Sequence, residues 1–132
     1  SVCLAKMQPK ELKSIVNIGS QYGKVAINHN LYGCFSEASP INYGVAKAAL
    51  SHLTKELAVR FAKKNIRVNC AAFGGVEGRV DKNFEERYAK LCPSGRMLKE
   101  EEIVGGIEFL LTDQSSGMTG QTILIDGGWT IW

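Results

Sequence analysis

The chain has 132 residues, 45% of them hydrophobic, which sets a limit of one domain, 1–132, with a modest core. Its net charge of +3 is mild, and Lys and Arg are scattered among Glu, so no basic stripe or aromatic ladder suggests nucleic acid. No apolar run approaches the length of a membrane span and no signal peptide is visible at the start, which argues against a membrane partner. Cys3, Cys34, Cys70 and Cys92 lie far apart, without Cys-x-x-Cys or Cys/His ligand spacing. Neither disulfides nor a metal site are expected, and a reducing cytoplasm is the expected location.

In chain order, Ser1 to Lys10 reads as the last turns of a helix that Pro9 helps to end; with Ser rather than Met at the start, the chain looks cut. Ser14-Ile15-Val16-Asn17-Ile18 is a short β-branched run suited to a buried parallel strand, ending at Gly19-Ser20. Gln21 to Ala38 shows no steady period and predicts a surface loop. Ser39 and Pro40 then open a long helix to Lys64, with Ser39 as its cap and Asn65 at its end. Its apolar residues recur in two rows, Ile41-Val45-Ala49-Leu53-Leu57-Phe61 and Ala46-Leu50-Ala58, a broad apolar face. Ile66 to Ala72 predicts a second strand, and Phe73-Gly74-Gly75-Val76-Glu77-Gly78 a glycine-rich turn. Asp81 to Leu91 predicts a short helix with Phe84, Tyr88 and Leu91 on one face. Glu100-Glu101-Glu102 favours the start of another helix, ending near Thr112. Thr122 to Asp126 is a third strand, stopping at Gly127-Gly128. Strand, helix, strand, helix, strand implies right-handed crossovers and a parallel sheet covered by helices: the class is α/β.

Tyr43 and Lys47 lie four apart and share one side of the long helix. A phenol alone is a poor acid or base at neutral pH, because it titrates near pH ~10. An ammonium held about 4 Å away favours the phenolate by up to ~4 kcal/mol at an effective dielectric of about 20, enough to bring such a group into the range useful for proton transfer. Such a pair also arises by chance on helices, so its neighbours matter. Ligands of open parallel sheets bind at the carboxyl ends of the strands. Ser20 and Gly74 to Val76 follow the first two strands, and Tyr43 and Lys47 start the helix between them. Each has a plainer reading: a turn residue, a tight bend, a solvated charge. Together they place a hydroxyl, a phenol, an ammonium and a glycine backbone at one edge.

Four stretches in order, Ile15-Val16-Asn17-Ile18-Gly19-Ser20, Tyr43-Gly44-Val45-Ala46-Lys47, Ile66-Arg67-Val68-Asn69 and Gly120-Gln121…Asp126-Gly127-Gly128, resemble the short-chain dehydrogenase/reductase family. The resemblance implies the carboxyl-terminal half of a doubly wound Rossmann-type sheet and hydride transfer between NAD or NADP and a carbonyl or alcohol substrate. It implies Tyr43 as proton donor or acceptor, Lys47 as holder of the nicotinamide ribose, and Ser20 as hydrogen-bond partner of the substrate oxygen. Gly74, Gly75 and Val76 would contact the nicotinamide. Phe73 stands where the family has proline, and Gly19 replaces a common serine, a change expected to be harmless. The long segment between Ser20 and Tyr43, with Asn28, His29, Asn30, Tyr32 and Glu37, would lie beside the pocket, His29 as a solvated residue. It resembles reductases of bacterial surface-sugar and flagellin-glycan synthesis, which favours a sugar nucleotide or similar polar substrate over an acyl-carrier-protein thioester.

The family's glycine-rich phosphate loop is not found; Gly19-x-x-x-Gly23 follows a strand but lacks the remaining glycine and the following helix. The residue that selects NAD or NADP and the Asn that completes the catalytic set are also not found, so the chain reads as half of an enzyme. The first strand would then be an apolar edge that invites pairing. A homo-oligomer is expected, with the long helix packing on its copy through Ala46, Ala48 and Ala49. Trp129 and Trp132 would bury in an interface or form a loose tail. Two functions stand: an oxidoreductase, or a truncated, non-catalytic fragment acting only as an association module.

Overall fold

A computed structural model of the chain describes residues 12–34, 36 and 38–132. The helix expected at Ser1 to Lys10 lies outside the described residues. The first β-branched run forms strand β1, Ser14–Ser20, two residues longer than expected, and α1, Ile41–Phe61, follows it. Next come β2, Arg67–Phe73, α2, Lys82–Leu91, α3, Glu100–Leu111, and β3, Thr122–Ile125. The strands pair in parallel in the order β1-β2-β3. Ser20 pairs with Phe73 and Phe73 with Ile125, so the carboxyl ends of all three strands are level.

Strand β2 lies between the other two and is buried from Val68 to Phe73, which is why its sequence is nearly continuous in small and apolar residues. Toward α3, Ala71 and Phe73 pack with Leu98 and Leu110, joined by Val16 and Ile107. Phe73, in place of the family's proline, is thus a core residue. Toward α1, the Asn17 amide donates to Thr54 Oγ1 at 2.9 Å, and the fully buried Thr54 hydroxyl donates to Leu50 O at 2.8 Å. Buried Asn69 donates to Met118 O at 2.8 Å and accepts from Gln121 N–H at 3.1 Å, fixing the turn into β3. The Arg67 guanidinium donates to the carbonyls of Leu110, Thr112 and Ser115, gathering the end of α3 over the start of β2.

Several expectations change. Ser39 is not the helix cap: Pro40 occupies that position without a side-chain bond, and a 3₁₀ turn at Ala62–Lys64 ends the element at Asn65, whose φ is 56°. The apolar face of α1 divides, because Thr54 and Ala58 face the sheet while Ile41, Val45 and Leu53 are exposed. The segment after β1 is not wholly surface loop, since it forms 3₁₀ turns at Gln21–Gly23 and His29–Leu31 and buries Gln21 and Leu31. Trp129 is buried in the chain's own core, stacked on Tyr88 with ring centroids 4.3 Å apart, whereas Trp132 is exposed. Cys34, Cys70 and Cys92 are free thiols.

Gly19 is a requirement of this core rather than a harmless substitution. A Cβ there would lie 2.7 Å from the Sγ of buried Cys70 and 3.0 Å from the Ala72 Cβ. Gly19→Ser is expected to cost about 1–3 kcal/mol by overpacking. Adding Cys70→Ala should return part of that loss. Thermal unfolding of the two variants checks this; an unchanged melting temperature for Gly19→Ser would show that β1 and β2 give way freely.

Candidate active site

The level strand ends bring Ser20, Tyr43, Gly74, Gly75 and Val76 to the wall of one cavity of about 290 Å³. Lys47 does not line it. One helical turn behind Tyr43, its Nζ donates to Ile18 O at 2.7 Å and lies 5.7 Å from the centre of the Tyr43 ring. An ammonium has three donors, so this bond leaves two for a ligand. Ser20 ends β1 and accepts from Tyr22 N–H at 3.2 Å, which turns the chain sharply toward α1.

Glycines permit that turn to meet the helix. A Cβ on Gly23 would fall 2.8 Å from the Lys47 carbonyl, and one on Gly44 would fall 3.1 Å from Tyr22 O. In Gly19-x-x-x-Gly23 the second glycine therefore serves close packing against α1, and the first close packing against β2. The glycine turn after β2 is equally fixed: Gly74 N–H donates to Ile125 O at 2.9 Å, and Leu98 N–H to Gly75 O at 2.8 Å.

All four tyrosines of the chain line the cavity. Tyr22 and Tyr32 are bonded hydroxyl to hydroxyl at 2.9 Å. Burial, then the bond to Tyr32, pushes the Tyr22 phenol far above its ordinary range. The Tyr88 hydroxyl accepts from Gly75 N–H at 2.9 Å and donates to Gln21 Oε1 at 3.1 Å, and burial pushes it up to about 12. Tyr22 and Tyr88 stay protonated at neutral pH, and all three of these phenols are bonded within the protein. Tyr43 is 41% exposed, and its hydroxyl makes no hydrogen bond to the described residues.

Gln21, Tyr22, Arg79, Tyr88 and Met97 also line the wall, and no sequence motif marks them as site residues. Tyr32 lies on it as expected for the long segment, and Asn28 caps the His29–Leu31 turn through its side chain. His29 is exposed and does not line this cavity; Glu37 lies outside the described residues. The arrangement suits the nicotinamide end of a dinucleotide, with a glycine backbone, a phenol and a cation at one sheet edge. Among the described residues, β1 leads into a 3₁₀ turn rather than the helix a phosphate loop would open.

Residues 2–130 match a family model described as enoyl-(acyl carrier protein) reductase. The chain is 40% identical to post-translational flagellin modification protein A of Campylobacter coli, over 88% of this chain and 45% of that protein. It superposes on a short chain dehydrogenase from Leptospira borgpetersenii with bound NAD+ at a TM-score of 0.81 and 39% identity, covering 89% of this chain and 44% of that one. A gluconate 5-dehydrogenase from Burkholderia cenocepacia, solved with NADP and tartrate, aligns at a TM-score of 0.77 and 27% identity, covering 93% and 47%. The chain spans about half the length of these proteins. Family model, relatives and parallel sheet agree, and the chain belongs to the short-chain dehydrogenase/reductase family.

Proposed function

We propose that this chain carries the catalytic half of an NAD- or NADP-dependent reductase or dehydrogenase acting on a carbonyl or alcohol, with Ser20, Tyr43 and Lys47 as its catalytic residues. One observation carries the reading: of four phenols around the cavity, Tyr43 alone has a hydroxyl open to a ligand, and Lys47 stands beside it. In the reducing direction, the bound nicotinamide supplies hydride to the carbonyl carbon. Tyr43 gives its proton to the carbonyl oxygen, and Ser20 holds that oxygen by a hydrogen bond. Lys47 holds the ribose hydroxyls with its two remaining donors. The backbone of Gly74, Gly75 and Val76, which lines the cavity, would hold the nicotinamide.

Arg79, Tyr32 and Ser39 on the wall favour a polar substrate, and the flagellin-modification relative supports a sugar nucleotide or similar compound. The acyl-carrier-protein wording of the family description makes a thioester the competing substrate. In the full-length protein, Tyr43→Phe is expected to lower turnover at least about a hundredfold, the usual scale for a lost general acid, while cofactor affinity changes little. Turnover that survives this change would overturn the proton relay.

A second reading, an association module without catalysis, draws on the exposed row Ile41, Val45 and Leu53 and on β1, which among the described residues pairs on one side only and leaves Ile18 46% exposed. With either function we propose a homo-oligomer formed through α1 in the cytoplasm. Val45→Glu with Leu53→Glu is expected to shift the species seen by sedimentation toward monomer. A wild-type protein that sediments as a stable monomer would overturn the association.

A further inference from the structure

We propose that Tyr88 is a positioning residue of this site, fixing with one hydroxyl the glycine wall on one side of the cavity and the residue that follows Ser20 on the other. The inference rests on the function proposed above. Tyr88 comes from α2, an element that contributes none of the residues named in the reaction. Its hydroxyl is used twice, accepting from Gly75 N–H at 2.9 Å and donating to Gln21 Oε1 at 3.1 Å. Gln21 is itself 3% exposed and adjoins Ser20 in sequence. The two bonds therefore join the residue after β1 to the turn after β2, just beyond the last ladder pair, Ser20 with Phe73.

The ring is as constrained as the hydroxyl. It stacks on Trp129 at 4.3 Å with an interplanar angle of 16°. Trp129 belongs to the turn after β3, where the Asp126 carboxylate accepts from Gly128 N–H, Thr130 N–H and the Thr130 hydroxyl. On the other side, a Cβ on Gly75 would fall 2.7 Å from Tyr88 Cε2, and one on Gly74 2.9 Å from the Tyr88 hydroxyl oxygen. Both glycines thus press their backbone on this one side chain. With Gly75 O held by Leu98 N–H, the Tyr88 hydroxyl holds the same residue through its N–H, in the preceding peptide unit. Without it, the half-buried Gly75 N–H and the buried Gln21 amide oxygen lose their partner together. The wall facing the nicotinamide is then free to rotate away from it.

Tyr88→Phe keeps the ring and its stack and removes only the hydroxyl. In the full-length protein, fluorescence titration with NADH and with NADPH should show cofactor affinity falling about tenfold, the effect of leaving the Gly75 N–H and the Gln21 amide oxygen without their shared partner. Hydrogen exchange at the Gly75 amide should quicken about tenfold, while amides in the β1–β2 ladder keep their protection. Gln21→Met, which removes only the acceptor, should weaken the cofactor in the same direction and stands in if Tyr88→Phe fails to fold. Unchanged affinity and an unchanged Gly75 amide in a folded variant would overturn the inference while leaving the proposed function intact. A wild-type protein that binds neither NADH nor NADPH would overturn both.

Discussion

The close approach of the turn after β1 to the first two turns of α1 is the constraint on which the site depends. Gly23 and Gly44 let backbone meet backbone there, with no room for a side chain at Gly23. The contact decides where α1 starts relative to the end of β1, and so where Tyr43 and Lys47 stand relative to Ser20. The bond from Lys47 Nζ to Ile18 O then ties the same helix to the strand from the other direction. A side chain at Gly23 would push α1 outward and carry the phenol away from the glycine wall with it. Packing and chemistry share one joint.

The elements were legible because their local signals agree with the fold. The β-branched run of β1, the Asp81 cap of α2 and the acidic start of α3 all lie within a residue or two of their predicted places. Tyr43 and Lys47 were legible because a spacing of four on a helix is a statement about geometry. The buried side of α1 was not. Ile41, Val45 and Leu53 satisfy the helical period as well as Leu50, Thr54 and Ala58 do, and a period alone does not separate a core row from an exposed one.

Gly23 and Tyr88 escaped for a different reason. In sequence Gly23 stands only in an incomplete phosphate-loop pattern, and its reason, the approach of Lys47's backbone, exists only in three dimensions. Tyr88 was visible as one residue on the apolar face of a short helix, but its partners Gln21 and Gly75 are 67 and 13 residues away. Trp129 followed the same logic, since its stacking partner comes from α2. The chain's own core absorbs it, so only Trp132 of the two is exposed.

The parallel register also governs how the chain finds its fold. Ser14 meets Arg67 and Cys70 meets Thr122, so both pairings join residues about fifty positions apart. Non-local pairing of this kind is slow, because loop-closure entropy is lost before any ladder forms. Helix α1 alters that search. As a helix its 21 residues rise about 1.5 Å each, far less than the same stretch extended, and they return the chain toward β1 as a stiff rod. The helix that presents the phenol to the cavity is therefore also the element that shortens the path by which the first two strands meet.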